Sequence, residues 1–189
     1  TDAYVQEYQS EGFETLVMTL VSHCQNGPNW GINSSSNYTP KEQYYDTYMA
    51  WVEAVVERYD CDGYNDMPGL RYPVVYYEIG DEFSTYEPES ASEYVKMLKA
   101  AYETAHKAFP NVLIAHAAFL VPQVFKENMT RSENVYQTSY ENWQQYYIDQ
   151  SHPSILNHPY SDLTTILDNG EFFDVLNFHS LLYPEEIYG

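Results

Sequence analysis

The sequence predicts an α/β fold with a parallel sheet, formed by a single domain over residues 1–189. Near-continuous apolar, β-branched and aromatic runs at 13–22, 74–79 and 112–119 are separated by stretches whose apolar residues recur at helical spacing. Continuous apolar runs are typical of strands buried on both faces, as parallel strands are. Alternating strands and helices then indicate crossover connections, which align the strands in one direction.

The first half of the chain predicts two helices, one strand and one loop. In order, these are a helix at Tyr4–Ser10, a strand at Phe13–Ser22, a polar loop at 25–38 and a long helix that starts at Thr39. The long helix has the clearest start, because Thr39 suits the N-cap, Pro40 the first helical position and Glu42 the capping box. Its apolar residues continue at helical spacing as far as Tyr59.

The second half continues the alternation. It predicts a strand at 73–82, a helix that starts at Ser90, a strand at Val112–Phe119, a helix at Glu133–Gln150, a short helix capped by Ser161 and a strand at Phe172–Ser180. Ser90 and Glu93 form a second capping-box pattern. His116 lies near the end of its strand, where a single imidazole is more often structural than a ligand.

Two adjacent carboxylates, Asp81 and Glu82, end the strand at 73–82. Ligands and catalytic groups collect at the carboxyl edge of parallel strands. The pair therefore indicates either a catalytic acid or an acidic cap for the following loop, because acidic residues also serve as turn and N-cap residues.

The charge of the chain limits its partners. Eight Lys and Arg against 28 Asp and Glu give a formal net charge of -20 at pH 7. This charge repels phosphate backbones and anionic lipid, so we expect neither nucleic acid nor membrane as a partner. The 21 tyrosines suit stacking on neutral ligands such as sugars, although many of them belong in the core.

The sequence predicts an extracellular protein that is cut from a longer one. Glycosylation tripeptides at Asn33, Asn37 and Asn128 fit a secreted surface, and no apolar run approaches the about 20 residues that span a bilayer. The chain opens inside a helical pattern and stops just after a strand, so we expect the natural protein to continue. The two cysteines, Cys24 and Cys61, allow either a disulfide or two free thiols.

An acidic loop follows the long helix. Asp60, Asp62 and Asp66 flank Gly63 in a pattern that resembles the calcium loops of dockerin and thrombospondin-type repeats. Such a pattern supplies the hard oxygen ligands that Ca²⁺ requires, so we consider a structural Ca²⁺ there and no other cofactor. An EF-hand is excluded because Arg71 stands where its bidentate Glu is needed. The alternative is a turn with solvated carboxylates.

Five features in this order resemble the middle of a clan A glycoside hydrolase. They are the long helix, the acidic loop, the segment VVYYEIGDE, the capped helix and the segment FFDVLNFHS. This clan includes β-xylosidases, β-glycosidases and endoglycanases. The resemblance spans about the third to the sixth strand and implies an incomplete (β/α)8 TIM barrel, about half of one. It implies a retaining hydrolase of β-linked saccharides, with carbohydrate as the substrate.

The resemblance also assigns roles. Glu82 occupies the position of the general acid/base, and Asp81 stands where the clan has an Asn that contacts the sugar. A carboxylate accepts a hydroxyl proton but cannot donate as an amide does, which is a departure from the clan. His23 and His179 match clan positions that line the sugar site, and Tyr183 matches an aromatic partner at a spacing that is not the usual one. Independently of the resemblance, Trp30 in the polar loop is expected either to stack on the sugar or to fold back onto its own loop.

The second carboxyl group, the nucleophile, is expected outside this chain, because Glu185 and Glu186 follow Pro184 in a loop rather than a strand. Two alternatives stay open. One is a non-catalytic carbohydrate-binding or structural protein on a degenerate barrel, and the other is a calcium-stabilised extracellular assembly protein. A partial barrel also has exposed sheet edges, so self-association is a further expectation.

Overall fold

The computed structural model of the chain describes residues 1–22, 39–83, 89–119 and 158–179, together with positions 141, 142, 145 and 149. The elements are α1 (Asp2–Ser10), β1 (Val17–Leu20), α2 (Tyr45–Arg58), β2 (Tyr76–Glu82), α3 (Ala91–Ala108), β3 (Leu113–Ala118) and α4 (Tyr160–Leu167). The three strands form a parallel sheet in the order β1-β2-β3. This confirms the predicted α/β fold with a parallel sheet, and the arrangement is compatible with part of a barrel.

Strand β2 lies at the centre of the sheet and is buried on both faces. Tyr77 and Ile79 belong to the hydrophobic core and have no exposed surface. The core residues that α2 and α3 contribute are Tyr48, Val52 and Val56 from α2, and Tyr94, Met97, Leu98, Ala101 and Ala105 from α3. Because side chains alternate along a strand, Glu78 lies on the face opposite to Tyr77 and Ile79, and it is also buried.

A β-bulge interrupts the pairing of β2 with β3 just before Glu82. Ile79 pairs with His116 and Glu82 pairs with Ala118, so β2 uses one more residue than β3 over this stretch. Gly80 has a φ of 87°, which favours glycine. The hydroxyl of Tyr94 donates to the Ile79 carbonyl at 2.7 Å and accepts from the Ala117 amide at 2.6 Å. Tyr94 therefore satisfies the backbone groups that the bulge separates.

The strand predicted at Phe172–Ser180 is wrong at its start, which is not extended, and over the described residues that follow the pairing with β3 is shorter than predicted. Residues Gly170–Phe172 form a 3-10 turn, and the following segment joins β3 only through isolated parallel bridges at Val175 and Phe178. Backbone hydrogen bonds join the two segments at Ile114 and Phe119, and a side chain supplements them. The Ile114 amide donates to the Asp174 carboxylate at 2.9 Å, a position at which a ladder would place a backbone carbonyl.

One of the predicted helix caps is confirmed and two are wrong. Ser90 and Glu93 form the capping box at the start of α3. Thr39 caps no helix: its amide donates to Glu89, and α2 begins at Tyr45 after a short 3-10 turn without a side-chain cap. Ser161 is the second residue of α4, whose N-cap is Pro159.

The segment 13–16 lies between α1 and β1 and belongs to neither, and Phe13 packs on the end of α1. The Phe13 amide donates to the Tyr8 carbonyl at 3.1 Å, and the two rings pack edge to face. The predicted strand at Phe13–Ser22 is therefore reduced to β1. The helix predicted at Tyr4–Ser10 is confirmed as part of α1.

The helix predicted at Glu133–Gln150 lies mostly outside the described residues. The four positions described between 141 and 149 are all helical, and Gln145 donates to Asp149 one turn later at 2.8 Å. Among the described helices, none is long and apolar enough to cross a membrane.

Candidate active site at the carboxyl end of the sheet

Two glutamates of β2 and two residues of the segment after α4 meet at one edge of the sheet. Glu82 and Glu78 come from the strand, and Asn177 and His179 come from the segment that bridges to β3. The pairing of Phe178 with Phe119 brings this segment alongside β3, and the His179 amide donates to the Phe119 carbonyl at 3.0 Å. Backbone contacts therefore place His179 above the end of β2.

Glu82 is held by the imidazole of His179. The Nδ1 atom of His179 lies 3.0 Å from Oε1 of Glu82, and the Glu82 side chain is 14% exposed. Asp81 is half-buried beside it. A carboxyl group that reaches solvent and contacts an imidazole can hold a proton and pass it to a ligand, which is the requirement for a general acid or base.

Glu78 lies beneath this pair and was not singled out from the sequence. Its Oε2 atom accepts from the Thr19 hydroxyl at 2.9 Å, and its Oε1 atom accepts from the Asn177 amide group at 2.7 Å. Burial raises the pKa of the Glu78 carboxyl, and the charge of Asp81 raises it further. The hydrogen bonds from Thr19 and Asn177 and the interaction with His179 act in the opposite direction.

A signal for Glu78 was present in the sequence. It is the single charged residue inside the run VVYYEI. A charge within a strand buried on both faces must be hydrogen-bonded or paired. Its partners Thr19 and Asn177 had no such signal, because only the folded chain brings them near it.

His116 fixes the segment that carries Asn177. The His116 side chain is fully buried, with Nδ1 2.7 Å from the Ala117 carbonyl and Nε2 3.1 Å from the Asn177 amide nitrogen. These partners fit a neutral ring that donates from Nδ1 and accepts at Nε2. Burial lowers the pKa of His116 to about 4, which is consistent with a neutral structural histidine.

Several residues expected at the site lie outside the described residues. These are His23, Trp30 and Tyr183, and with them Cys24, Glu185, Glu186 and the glycosylation candidates Asn33, Asn37 and Asn128. Of the predicted sugar-site residues that are described, His179 and Asp81 lie beside Glu82. Cys61 is exposed.

The acidic loop after α2 brings its three aspartates together, away from the sheet edge. One carboxylate oxygen from each of Asp60, Asp62 and Asp66 lies within 4.8 Å of the others. The same carboxylates also cap the turn: Asp66 accepts from the amides of Cys61 and Gly63 at 3.0 and 2.7 Å. This geometry fits a cation site, and it equally fits a turn held by carboxylates.

The chain is similar in fold to a glucosidase. Its structure aligns with the crystal structure of a glucosidase from Croceicoccus marinus, with a TM-score of 0.52 and 17% sequence identity. The alignment covers 93% of this chain and 35% of the glucosidase chain, so the chain spans about a third of that protein. No protein-family model and no curated protein matches the chain. At this identity the likeness shows a similar fold and nothing more.

Proposed function

We propose that the chain is part of a retaining glycoside hydrolase with a (β/α)8 barrel of clan A type, acting on β-linked saccharides, with Glu82 as the general acid/base. The observation that carries this proposal is the contact of 3.0 Å between Glu82 and His179 at the carboxyl end of the parallel sheet. Catalytic groups of barrel enzymes lie at this end of the strands. The fold similarity to a glucosidase supports the same reading.

In the proposed reaction Glu82 acts twice. It first gives its proton to the glycosidic oxygen as the bond from the anomeric carbon to that oxygen breaks and a second carboxylate bonds to the carbon. It then takes a proton from water, whose oxygen displaces that carboxylate and releases the sugar. The second carboxyl group must lie about 5 Å from the first. We place this nucleophile outside the present chain.

The other residues would bind the sugar. Asp81, half-buried beside Glu82, would accept a hydrogen bond from a sugar hydroxyl. His179, with a side chain 38% exposed, would present its ring to the same site. His23 and Tyr183 are proposed to complete the site on the strength of the sequence resemblance, and Trp30 on its place in a polar loop after a predicted strand. We also propose an extracellular location, supported by the glycosylation tripeptides in the sequence.

The test uses the complete polypeptide that contains this chain and two classes of aryl β-glycoside. With a poor leaving group such as phenol, departure needs a proton, so Glu82→Ala should lower kcat/KM by about 100-fold or more. With dinitrophenol, which leaves without a proton, bond cleavage should be nearly unaffected, and added azide should accelerate turnover of the accumulated intermediate. Glu103→Gln, an exposed position in the second half of α3, is the control. Equal loss on both substrate classes would contradict the role of Glu82.

A non-catalytic carbohydrate-binding protein is the second candidate, favoured by Asp81 at the position where the clan has Asn. This candidate predicts that the wild-type chain binds oligosaccharides and hydrolyses none of them. Isothermal titration with β-linked oligosaccharides would then give the same affinity for the wild type and for Glu82→Gln. Hydrolysis by the wild type that is lost in Glu82→Gln would rule this candidate out.

A further inference from the structure

We infer that Glu78 is a positioning residue of the Glu82 site: together with Asn177 it holds the His179 imidazole in the place from which the ring binds Glu82. The effect on catalysis rests on the proposed function, whereas the effect on His179 does not. Glu78 is distinct from the groups that would contact a sugar, because its side chain is 7% exposed and both its oxygens have partners inside the protein.

The imidazole of His179 lies between two carboxyl groups. Its Nδ1 atom is 3.0 Å from Glu82, and its Nε2 atom is 3.8 Å from Oε1 of Glu78. The first distance is that of a hydrogen bond, and the second is that of an ion pair. The doubly protonated ring is the state that satisfies both neighbours, because it has an N–H toward Glu82 and a positive charge near Glu78.

Glu78 is itself held by two separate parts of the chain. Thr19 of β1 donates to one oxygen, and Asn177 of the segment that carries His179 donates to the other. The Asn177 side-chain amide also contacts the His116 carbonyl at 3.2 Å, which ties that segment to β3. The negative charge of Glu78 thus has a fixed place relative to His179.

Few charged groups compete for this interaction. The residues paired with Glu78 on its neighbouring strands are Thr19 and Ala115, which are uncharged. The charges that act on Glu78 within the described residues are those of His179 and Asp81. His179 also faces Glu82. Replacing Glu78 by glutamine therefore removes one negative charge from beside the Nε2 atom of His179.

The direct test is the titration of the His179 ring followed by nitrogen-15 NMR on the full chain, with the signal assigned by its loss in His179→Gln. In Glu78→Gln, we expect the His179 titration to move down by about one pH unit, because an opposite charge at this range stabilises the protonated ring. Thr19→Val is the matched control: it removes a hydrogen bond from the same carboxyl group but keeps that carboxyl group and its contact with His179. We expect Thr19→Val to lower the Tm about as much as Glu78→Gln does, without the change in the His179 titration.

An unmoved His179 titration in a folded Glu78→Gln variant would overturn the inference. If that variant does not fold, Glu78→Asp decides the matter, since withdrawal of the carboxylate by one methylene must move the titration in the same direction by a smaller amount. No movement in a folded Glu78→Asp variant would then be the overturning result.

Activity separates this inference from the proposed function. If the complete polypeptide hydrolyses a β-glycoside, Glu78→Gln should lower kcat by about tenfold with little change in KM, because a misplaced acid/base slows chemistry more than binding. Movement of the His179 titration in a protein without hydrolysis would refute the function and retain the positioning role. Hydrolysis with an unmoved titration would refute only the positioning role.

Discussion

The backbone amide of Asn177 donates to Nε2 of His116 at 3.1 Å, so a buried side chain takes the place of a backbone partner between β3 and the segment that carries His179. This bond needs a neutral ring. A protonated His116 would present an N–H to another N–H, and the segment would lose its attachment.

We therefore expect the chain to lose stability as the pH falls below neutrality. The pKa of His116 is lowered from 6.5 to about 4 by burial, so the unfolded chain takes up the proton first. The contribution is fully present above pH 6.5 and is lost as the pH falls from there toward 4. Its size is on the order of 3 kcal/mol. Urea unfolding at a series of pH values measures it.

The control for His116 is His116→Phe. This change removes the titrating group but leaves the Asn177 amide without its acceptor, which should cost about 1–3 kcal/mol at pH 8. The slope of stability against pH between 4 and 6.5 should be smaller in this variant. An unchanged slope would show that His116 does not carry the acid sensitivity.

The sheet was predictable from the sequence, and its edges were not. The runs at 74–79 and 112–119 match β2 and β3 because continuous apolar character identifies a strand buried on both faces. The segment 172–180 has the same character, but its described part meets β3 only in isolated bridges, and the side chains of Asp174 and His116 add bonds to those of the backbone. Local pattern cannot show that a side chain from elsewhere will replace a ladder bond.

The candidate site was predictable only where strand ends identify it. Asp81 and Glu82 follow from the position of β2, and His179 follows from the end of the last apolar run. Glu78 was missed because it was read as part of a continuous apolar run, although its charge required a partner. The contact of Asn177 with Glu78 joins residues 99 positions apart, and no spacing rule connects them.

Tyr94 should stabilise the bulge before Glu82 through its hydroxyl. Tyr94→Phe leaves the Ile79 carbonyl and the Ala117 amide without their bonds of 2.7 and 2.6 Å in a buried place. We expect a loss of about 1–3 kcal/mol in the free energy of unfolding. Chemical denaturation monitored by tryptophan fluorescence measures this loss.

Tyr77 offers the matched control for that measurement. Tyr77 belongs to β2, the strand that contains the bulge. Its hydroxyl is buried and has no hydrogen-bond partner among the described residues. Tyr77→Phe removes a polar group that costs free energy to bury, so stability should stay the same or rise. Equal losses in the two variants would mean that the hydroxyl of Tyr94 has no special role at the bulge.

Asp2 should attach α1 to the end of α2. Its carboxylate accepts from Arg58 at 2.5 Å and from the Tyr59 hydroxyl at 2.6 Å, and these two hydrogen bonds lower the pKa of Asp2. Because the pair is largely exposed, Asp2→Asn should cost less than about 1 kcal/mol. The contribution is present above pH 3.8 and is lost as the pH falls through the lowered value.

Amide hydrogen exchange in α1 tests this attachment more directly than global unfolding. Exchange in α1 should accelerate in Asp2→Asn, because a helix end held by few contacts opens locally. Glu7→Gln changes the same charge on the same helix and should leave exchange near wild type. Equal acceleration in both variants would assign the effect to helix charge rather than to the contact with Arg58 and Tyr59.

Asp62 separates the two readings of the acidic loop. Its Oδ1 atom accepts from the Tyr64 amide at 2.7 Å, and an asparagine keeps that oxygen while it removes the charge. Burial, together with the charges of Asp62 and Asp66, raises the pKa of Asp60, so the aspartates repel one another.

With calcium chelated, we expect Asp62→Asn to have the same or a higher Tm than the wild type. If Ca²⁺ binds here, millimolar Ca²⁺ should raise the Tm of the wild type by mass action and raise that of Asp62→Asn much less. Identical wild-type Tm values in Ca²⁺ and in chelator would assign the three aspartates to the turn alone.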